Sequence, residues 1–261
     1  MTRFSNLEYQ EPEDQSNQAN LSAPTRHAPK ALEDEESFTT RGDNKYKTGY
    51  FEPALRAYSR ALEFNPNHVP AWVGQVKMLL ELGELREAAV WSSKGLELFR
   101  NHPELLAARS VAAIRNGDRE AALGFSDGAM EQQGNYPYTW LARGEVLLAI
   151  RGKNAAYCLE KAKAVVGGDD WFTCLLVSRV FYFYRHASKA LQHARTATEM
   201  NPGSHFAWFV QGNCERALAM YGRAEISYGR ALELDPNYKD SANAYSRLRR
   251  MGFWRRLLRR E

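Results

Sequence analysis

The chain repeats itself at an interval of 34 residues, and this period restricts its fold more than any other feature of the sequence. The stretch AYSRALEFNP at residues 57–66 returns almost unchanged as SYGRALELDP at residues 227–236, which is 170 residues or five periods later. A small side chain also recurs once per period, at Ala54, Ala88, Ala122, Ala156, Ala190 and Ala224. A period of this length over six units indicates a repeat protein, in which each unit buries its apolar face by stacking on its neighbours.

Each unit contains the signals for two short helices. Apolar residues recur at three- and four-residue spacing on both sides of a turn, as expected for two amphipathic helices. Glycine marks the turn at Gly49, Gly83 and Gly117, and proline ends a unit at Pro66, Pro202 and Pro236. A second row of mostly small residues keeps the same phase, at Ala61, Gly95, Ala129, Lys163, Ala197 and Ala231. Small residues in these rows allow helix backbones to approach to roughly 8–10 Å.

These units resemble the tetratricopeptide repeat. The last unit has the residue types of that family at Trp208, Gly212, Tyr221, Ala224, Tyr228, Ala231 and Pro236. The first unit has them at Phe38, Gly42, Gly49, Phe51, Ala54, Tyr58, Ala61 and Pro66. The resemblance implies an all-α fold, namely a right-handed superhelical solenoid of about six helix-turn-helix repeats with a C-terminal capping helix.

The period and the composition together divide the chain into four segments. Residues 1–34 are polar and acidic, and such a composition predicts a disordered tail. The repeat array is expected at residues 35–238, in units 35–68, 69–102, 103–136, 137–170, 171–204 and 205–238. Residues 239–251 are predicted to form the capping helix, since an end repeat otherwise exposes an apolar face. Residues 252–261 then form a basic amphipathic tail.

The fourth and fifth units depart from the pattern. The stretch RGKNAAYCLEKAKAV fits the small-residue rows better if Ala155 and Ala162 replace Ala156 and Lys163, which is a slip of one residue. A Gly-Gly-Asp-Asp stretch at residues 167–170 stands where other units have proline. We therefore expect an irregular joint near residues 151–172. It is either a tolerated variation in a loop or a change in superhelix curvature that shapes a pocket.

The resemblance implies a non-catalytic scaffold or adaptor that binds a partner segment in its concave groove, which the first helix of each unit lines in this family. Carried onto the fourth to sixth units, the groove positions are Tyr138, Leu141, Glu145, Phe172, Arg179, Tyr182, Phe206, Phe209, Asn213 and Arg216. Aromatic and arginine side chains suit an acidic, hydrophobic protein or peptide segment. The alternative is that several of the aromatic residues pack between helices. The clamp that many relatives use for a terminal carboxylate is absent, because its slots hold Thr39, Asp43, Gly74, Glu104 and Ala108.

The last residues, GFWRRLLRRE, form a second candidate site. On a helix, one side would hold Phe253, Trp254, Leu257 and Leu258, and the other Arg255, Arg256, Arg259 and Arg260. Such a segment can dock into a partner groove, lie on an anionic membrane or fold back on the array. The alternative function is therefore a peripheral membrane-associated protein that recruits partners through this tail.

The sequence offers no signal for an enzyme, a metal site or a cofactor. It has no phosphate-binding glycine loop and no helix with two histidines four residues apart. The net charge is +4, with −5 in residues 1–37 and +6 in residues 239–261, so the array is too weakly charged to favour nucleic acid. A membrane surface is a possible but less favoured partner, and self-association stays open.

The expected location is cytoplasmic, with a peripheral position at a membrane as the alternative. The three cysteines show no disulfide or metal spacing, which indicates a reducing compartment. The N-terminal residues lack the apolar core of a secretory signal. The most apolar window, residues 171–184, contains Arg179 and is shorter than the roughly 20 residues needed to span a bilayer. It is predicted to be a buried helix.

Overall fold

The protein is described by a computed structural model that covers residues 34–168 and 170–257, with side chains as far as Arg250. Within these residues the chain forms thirteen α-helices and no β-strand. They are α1 Glu35–Lys47, α2 Phe51–Phe64, α3 Val69–Leu82, α4 Leu85–Leu98, α5 Pro103–Arg115, α6 Arg119–Glu131, α7 Pro137–Ala149, α8 Ala155–Val165, α9 Trp171–Phe183, α10 Ala187–Met200, α11 His205–Ala217, α12 Tyr221–Leu234 and α13 Lys239–Leu257. The all-α repeat fold predicted from the period is confirmed.

The first twelve helices form six consecutive helix pairs. Each odd-numbered helix packs on the helix that follows it, and also on the odd-numbered helix of the next pair. The odd-numbered helices therefore make one continuous layer, which we call the inner layer, and the even-numbered helices lie against it. This arrangement buries the apolar stripe of each helix against both its partner and the adjacent pair.

All six turns inside the pairs use a left-handed backbone conformation at the same position of the repeat. Gly49, Gly83 and Gly117 have φ angles of 77°, 79° and 89°. The next three units place Arg151, Arg185 and Ala219 in this slot, with φ angles of 56°, 66° and 58°. The turn geometry is therefore kept where the glycine is lost, although a side chain makes that conformation less favourable.

The rows of small residues lie in the core. Ala54, Ala88, Ala122, Ala190 and Ala224 are fully buried. In the fourth unit, Ala155 and Ala162 are buried whereas Ala156 is exposed. The expected slip of one residue is therefore present, and it accompanies a short α8 of 11 residues.

The array closes on itself, a feature that the sequence did not predict. The turn after α1 packs on the start of α11 and on the segment before α13. The Nε2 atom of His205 lies 3.0 Å from the carbonyl oxygen of Thr48, and the Tyr50 hydroxyl donates to Asp235 at 2.5 Å. A Cβ added to Gly49 would meet the ring of Phe206 at 2.5 Å. We call the contact of Thr48, Gly49 and Tyr50 with His205, Phe206, Asp235 and Tyr238 the latch.

Helix α13 covers the end of the array. Leu248 is 5% exposed and packs with Ala224 and Tyr228 of α12. The helix does not end near residue 251, where the capping helix was expected to give way to the tail, but continues to Leu257. None of the helices in the described part of the chain has the length and apolar character needed to cross a membrane.

Candidate partner-binding site

Cavities follow the inner layer of the array. The front cavity, of about 520 Å³, lies between the N-terminal ends of α7 and α9 and the helices α1 and α3, and includes Lys77, Tyr138 and Phe172. The central cavity, of about 260 Å³, includes Glu81, Arg115, Glu145 and Arg179. The C-terminal groove, of about 760 Å³, is lined by Arg179, Tyr182, Phe183, Arg185, Ala187, Phe209, Val210, Asn213 and Ala217.

The C-terminal groove lies between α9 and α11, whose starts are fixed by N-terminal caps. The Asp170 carboxylate accepts a hydrogen bond from the Thr173 amide at 2.9 Å. Ser204 accepts from the Ala207 amide at 3.2 Å. Such caps satisfy amide groups that have no partner inside the helix and fix where it begins. The groove residues therefore project from two helices that pack against each other.

The structure divides the predicted groove residues among these cavities. Arg179, Tyr182, Phe209 and Asn213 line the C-terminal groove. Arg216 lies beside them, because its Nη2 atom donates to the Tyr182 hydroxyl at 3.3 Å. Tyr138 and Leu141 border both the front and the central cavity, Phe172 the front one, and Glu145 the central one. The predicted set is therefore not one continuous surface.

Phe206 is a core residue and does not belong to an accessible groove. It is 1% exposed and lies beneath Gly49, with its ring centroid 5.8 Å from that of Phe51. Glu145 is likewise only 3% exposed. Phe206 is inaccessible because the first helix pair covers this part of the sixth unit, an arrangement that a period of 34 residues does not encode.

The central cavity contains an ion pair in which each of the three guanidinium nitrogens donates a hydrogen bond. Arg115 donates from Nε and Nη2 to the two carboxylate oxygens of Glu145 at 2.7 and 3.1 Å, and from Nη1 to the Leu80 carbonyl at 3.0 Å. Burial opposes the Arg115 cation, but the Glu145 carboxylate outweighs it and raises the pKa of Arg115. Burial, together with the same carboxylate, raises the pKa of Tyr184. This cluster joins α3, α5 and α7 and has little capacity left for a ligand.

The rim of the C-terminal groove presents groups that are available to a partner. Phe183 is 53% exposed, and the Arg115 guanidinium lies 4.8 Å from its ring centroid. Arg185 and Arg216 are exposed. The prediction from the sequence did not include Phe183 and Arg185. The 34-residue period could have located Arg185, since it occupies the turn slot of the fifth unit, but it carries no signal for the exposure of Phe183.

The predicted tail site, residues 253–260, falls outside the described side chains. The backbone is helical to Leu257, and Leu258, Arg259 and Arg260 lie beyond the described residues. No group of three or more His, Cys, Asp or Glu side chains among the described residues could hold a metal ion.

A family model for the tetratricopeptide repeat matches residues 207–238. A stretch of 168 residues, 64% of this chain, is 23% identical to anaphase-promoting complex subunit 3 of Schizosaccharomyces pombe. The match spans 25% of that protein, so the chain corresponds to about a quarter of the curated relative.

Two solved structures share the fold. The APC/C hetero-tetramer Cut9–Hcn1 aligns with a TM-score of 0.50 and 14% identity, over 84% of this chain and 44% of that one. A tetratricopeptide-repeat protein of Thermus thermophilus aligns with a TM-score of 0.50 and 18% identity, over 82% of this chain and 98% of that one.

Proposed function

We propose that the protein is a non-catalytic interaction scaffold whose C-terminal groove binds an acidic, hydrophobic segment of a partner protein. The chain folds as a tetratricopeptide-repeat array, and its last unit matches the model of that family. The observation that carries the proposal is the exposed ring of Phe183 beside Arg185 at the rim of a groove of about 760 Å³. The curated relative is by name a subunit of a complex, which is consistent with a role in protein assembly.

The composition of the groove determines the kind of segment that it accepts. Aromatic rings such as Phe183 and Tyr182 cover large apolar areas at a small cost in side-chain entropy, and aromatic and arginine residues dominate the binding energy of many interfaces. Arg185 and Arg216 add exposed positive charge. A partner carboxylate gains charge-assisted hydrogen bonds from such guanidinium groups.

Site-specific photo-crosslinking tests the location of the site. Phe183 is replaced by p-benzoylphenylalanine, and Tyr157 is replaced in the same way as a matched control, because it is an aromatic residue of similar exposure on α8 (58% against 53%). We expect adducts at position 183 that map to an acidic, hydrophobic segment of a partner and are several-fold more abundant than those at position 157. Equal adduct yields at the two positions would contradict the proposal.

A pair of charge reversals tests the role of the arginines in the same assay. Arg216→Glu places a carboxylate beside the groove and should reduce the adducts at position 183. Arg119→Glu is the control, since Arg119 is exposed in the first turn of α6 and lies outside the groove. Insensitivity to Arg216→Glu would show that the partner does not recognise the groove through its positive charge.

A further inference from the structure

Arg179 lies where the central cavity and the C-terminal groove meet, because it lines both. Its Nη2 atom is in contact with Oε2 of Glu81, which lies on α3 and is 98 residues away in the sequence. The two side chains are 24% and 15% exposed, so the pair is largely but not fully buried. The second unit thus supplies a carboxylate to Arg179, which lines the groove formed by the fifth and sixth units.

The contact between Glu81 and Arg179 is less complete than the ion pair of Arg115 with Glu145. Arg115 has three described hydrogen bonds, two to Glu145 and one to a carbonyl. Among the described residues, Arg179 has a single hydrogen bond, from Nη2, while its guanidinium carbon lies 5.0 and 5.1 Å from the ring centroids of Phe51 and Phe206. A guanidinium has five N–H donors, so a two-pronged carboxylate from outside has more to gain here than Glu81 supplies.

We propose that Glu81 limits the specificity of the C-terminal groove for acidic segments: its carboxylate pairs with Arg179 as an internal competitor that only an acidic partner segment displaces. The inference rests on the proposed function. A neutral segment that enters the groove leaves the internal pair in place and gains nothing from Arg179. A segment with a carboxylate next to an aromatic or aliphatic anchor replaces the pair of Arg179 with Glu81 by a more complete pair with its own carboxylate. The specificity of the groove is the resulting difference in affinity between acidic and neutral segments.

The exchange also links partner binding to the closure of the array. Glu81 belongs to the second helix pair and Arg179 to the fifth, so their contact joins helix pairs that do not follow each other in the chain. Displacement of Glu81 removes that contact, while the latch between the first pair and α11 is left unchanged. An acidic segment therefore binds at a small cost in closure that a neutral segment avoids, and this cost limits the selectivity for acidic segments.

Peptide titrations test the role of Glu81. The probes are the fluorescein-labelled pentapeptide Glu-Asp-Phe-Glu-Leu and its amide counterpart Gln-Asn-Phe-Gln-Leu, and fluorescence anisotropy gives the Kd for the full-length protein. Glu81→Gln should tighten binding of the acidic peptide roughly three- to tenfold, the range of a partly buried ion pair. It should leave the Kd of the amide peptide unchanged. A merely structural role of Glu81 would shift both peptides equally or neither.

A second variant and a control complete the experiment. Glu81→Asp keeps the charge but shortens the side chain, so it should also release Arg179 and tighten the acidic peptide. Glu104→Gln breaks the ion pair of Glu104 with Lys77, 2.9 Å long, which borders the front cavity and not the groove, and should change neither Kd. An unaltered ratio of the two Kd values in both Glu81 variants would overturn the inference.

The outcomes separate this inference from the proposed function. If the wild-type protein binds the acidic peptide, and Arg216→Glu abolishes binding, but the Glu81 variants match the wild type, then the groove is a binding site and Glu81 does not set its specificity. If neither the wild-type protein nor the Glu81 variants bind the acidic peptide, both proposals are overturned. Circular dichroism melting of each variant confirms that the comparison is made between folded proteins.

Discussion

At the scale of single residues, the ring of Tyr58 shows how closely the repeats pack. Tyr58 is 1% exposed, and its hydroxyl donates to Asp43 at 2.6 Å. A Cβ added to Gly74 on α3 would lie 2.4 Å from the ring, closer than real Cβ atoms approach. Gly74 is helical and needs no special backbone angle, so its small size is required by this contact alone.

Gly74→Ala should therefore destabilise the protein although alanine favours helices. Overpacking of the Tyr58 ring costs about 1–3 kcal/mol, which exceeds the gain of about 0.5–1 kcal/mol from helix propensity. Gly124→Ala is the control, because no atom lies within 4 Å of the added Cβ on α6. Gly124→Ala should raise the free energy of unfolding by the gain in helix propensity. Urea unfolding measures both, and equal effects of the same sign would refute the packing argument.

At the scale of the helices and their turns, the repeat keeps its geometry where the sequence departs from the pattern. Ala219 takes the left-handed turn conformation that Gly83 takes in the second unit, with φ angles of 58° and 79°. A side chain in this region costs about 1–2 kcal/mol. The packing of the flanking helices therefore imposes the turn on a residue that does not favour it.

Ala219→Gly should raise the free energy of unfolding by up to about 1 kcal/mol, because the relief of backbone strain exceeds the extra entropy that glycine loses on folding. Gly83→Ala is the reciprocal control at the equivalent slot, where the new Cβ meets no atom within 4 Å. It should lower the stability by a similar amount. If Ala219→Gly is neutral or destabilising, the turn stores no strain.

The helices, their pairing and the small-residue rows could be predicted from the sequence, because each is repeated at a fixed interval. The slip at Ala155 and Ala162 was also visible, since it shifts two small residues together. The contacts of Glu81 with Arg179 and of Tyr50 with Asp235 could not be predicted from the sequence. The contacting residues lie 98 and 185 positions apart in the chain, and each contact occurs once, so no periodic pattern marks them.

At the scale of the whole molecule, closure makes the two ends of the array depend on each other. In an open solenoid each repeat contacts only its neighbours, and stability is a sum of local terms. Here the Tyr50 ring lies 5.5 Å from that of Tyr238, and its hydroxyl binds Asp235. Burial and this hydrogen bond raise the pKa of Tyr50 to about 12, and the bond to Tyr50 holds the pKa of Asp235 below its usual range.

Tyr50→Ala should accordingly loosen helices that are far away in the sequence. We expect amides of α11 and α12 to exchange with deuterium roughly fivefold faster or more, which corresponds to about 1 kcal/mol of lost local stability. Tyr157→Ala, at an exposed aromatic residue of α8, is the control. Faster exchange confined to α1 and α2 would mean that the ends are independent.

The effect of Tyr50→Ala on exchange should depend on pH. Asp235 has a lowered pKa, so its contribution is present above about pH 4 and is lost as the pH falls through the pKa of the folded state. Tyr50 has a raised pKa, so its contribution is complete below about pH 10 and is lost towards pH 12. The difference in exchange between the wild-type protein and Tyr50→Ala should therefore be largest between these limits.

The latch also sets an order of events during biosynthesis. Tyr50 leaves the ribosome 185 residues before its partner Asp235. At about 5–20 residues per second, the wait is roughly 10–40 s. During this time the turn around Gly49 has neither Phe206 nor Tyr238 to cover it, while each newly made helix pair can already stack on the one before. Translation thus builds the array from one end, and the contact between its first and sixth units forms only after the sixth unit has been made.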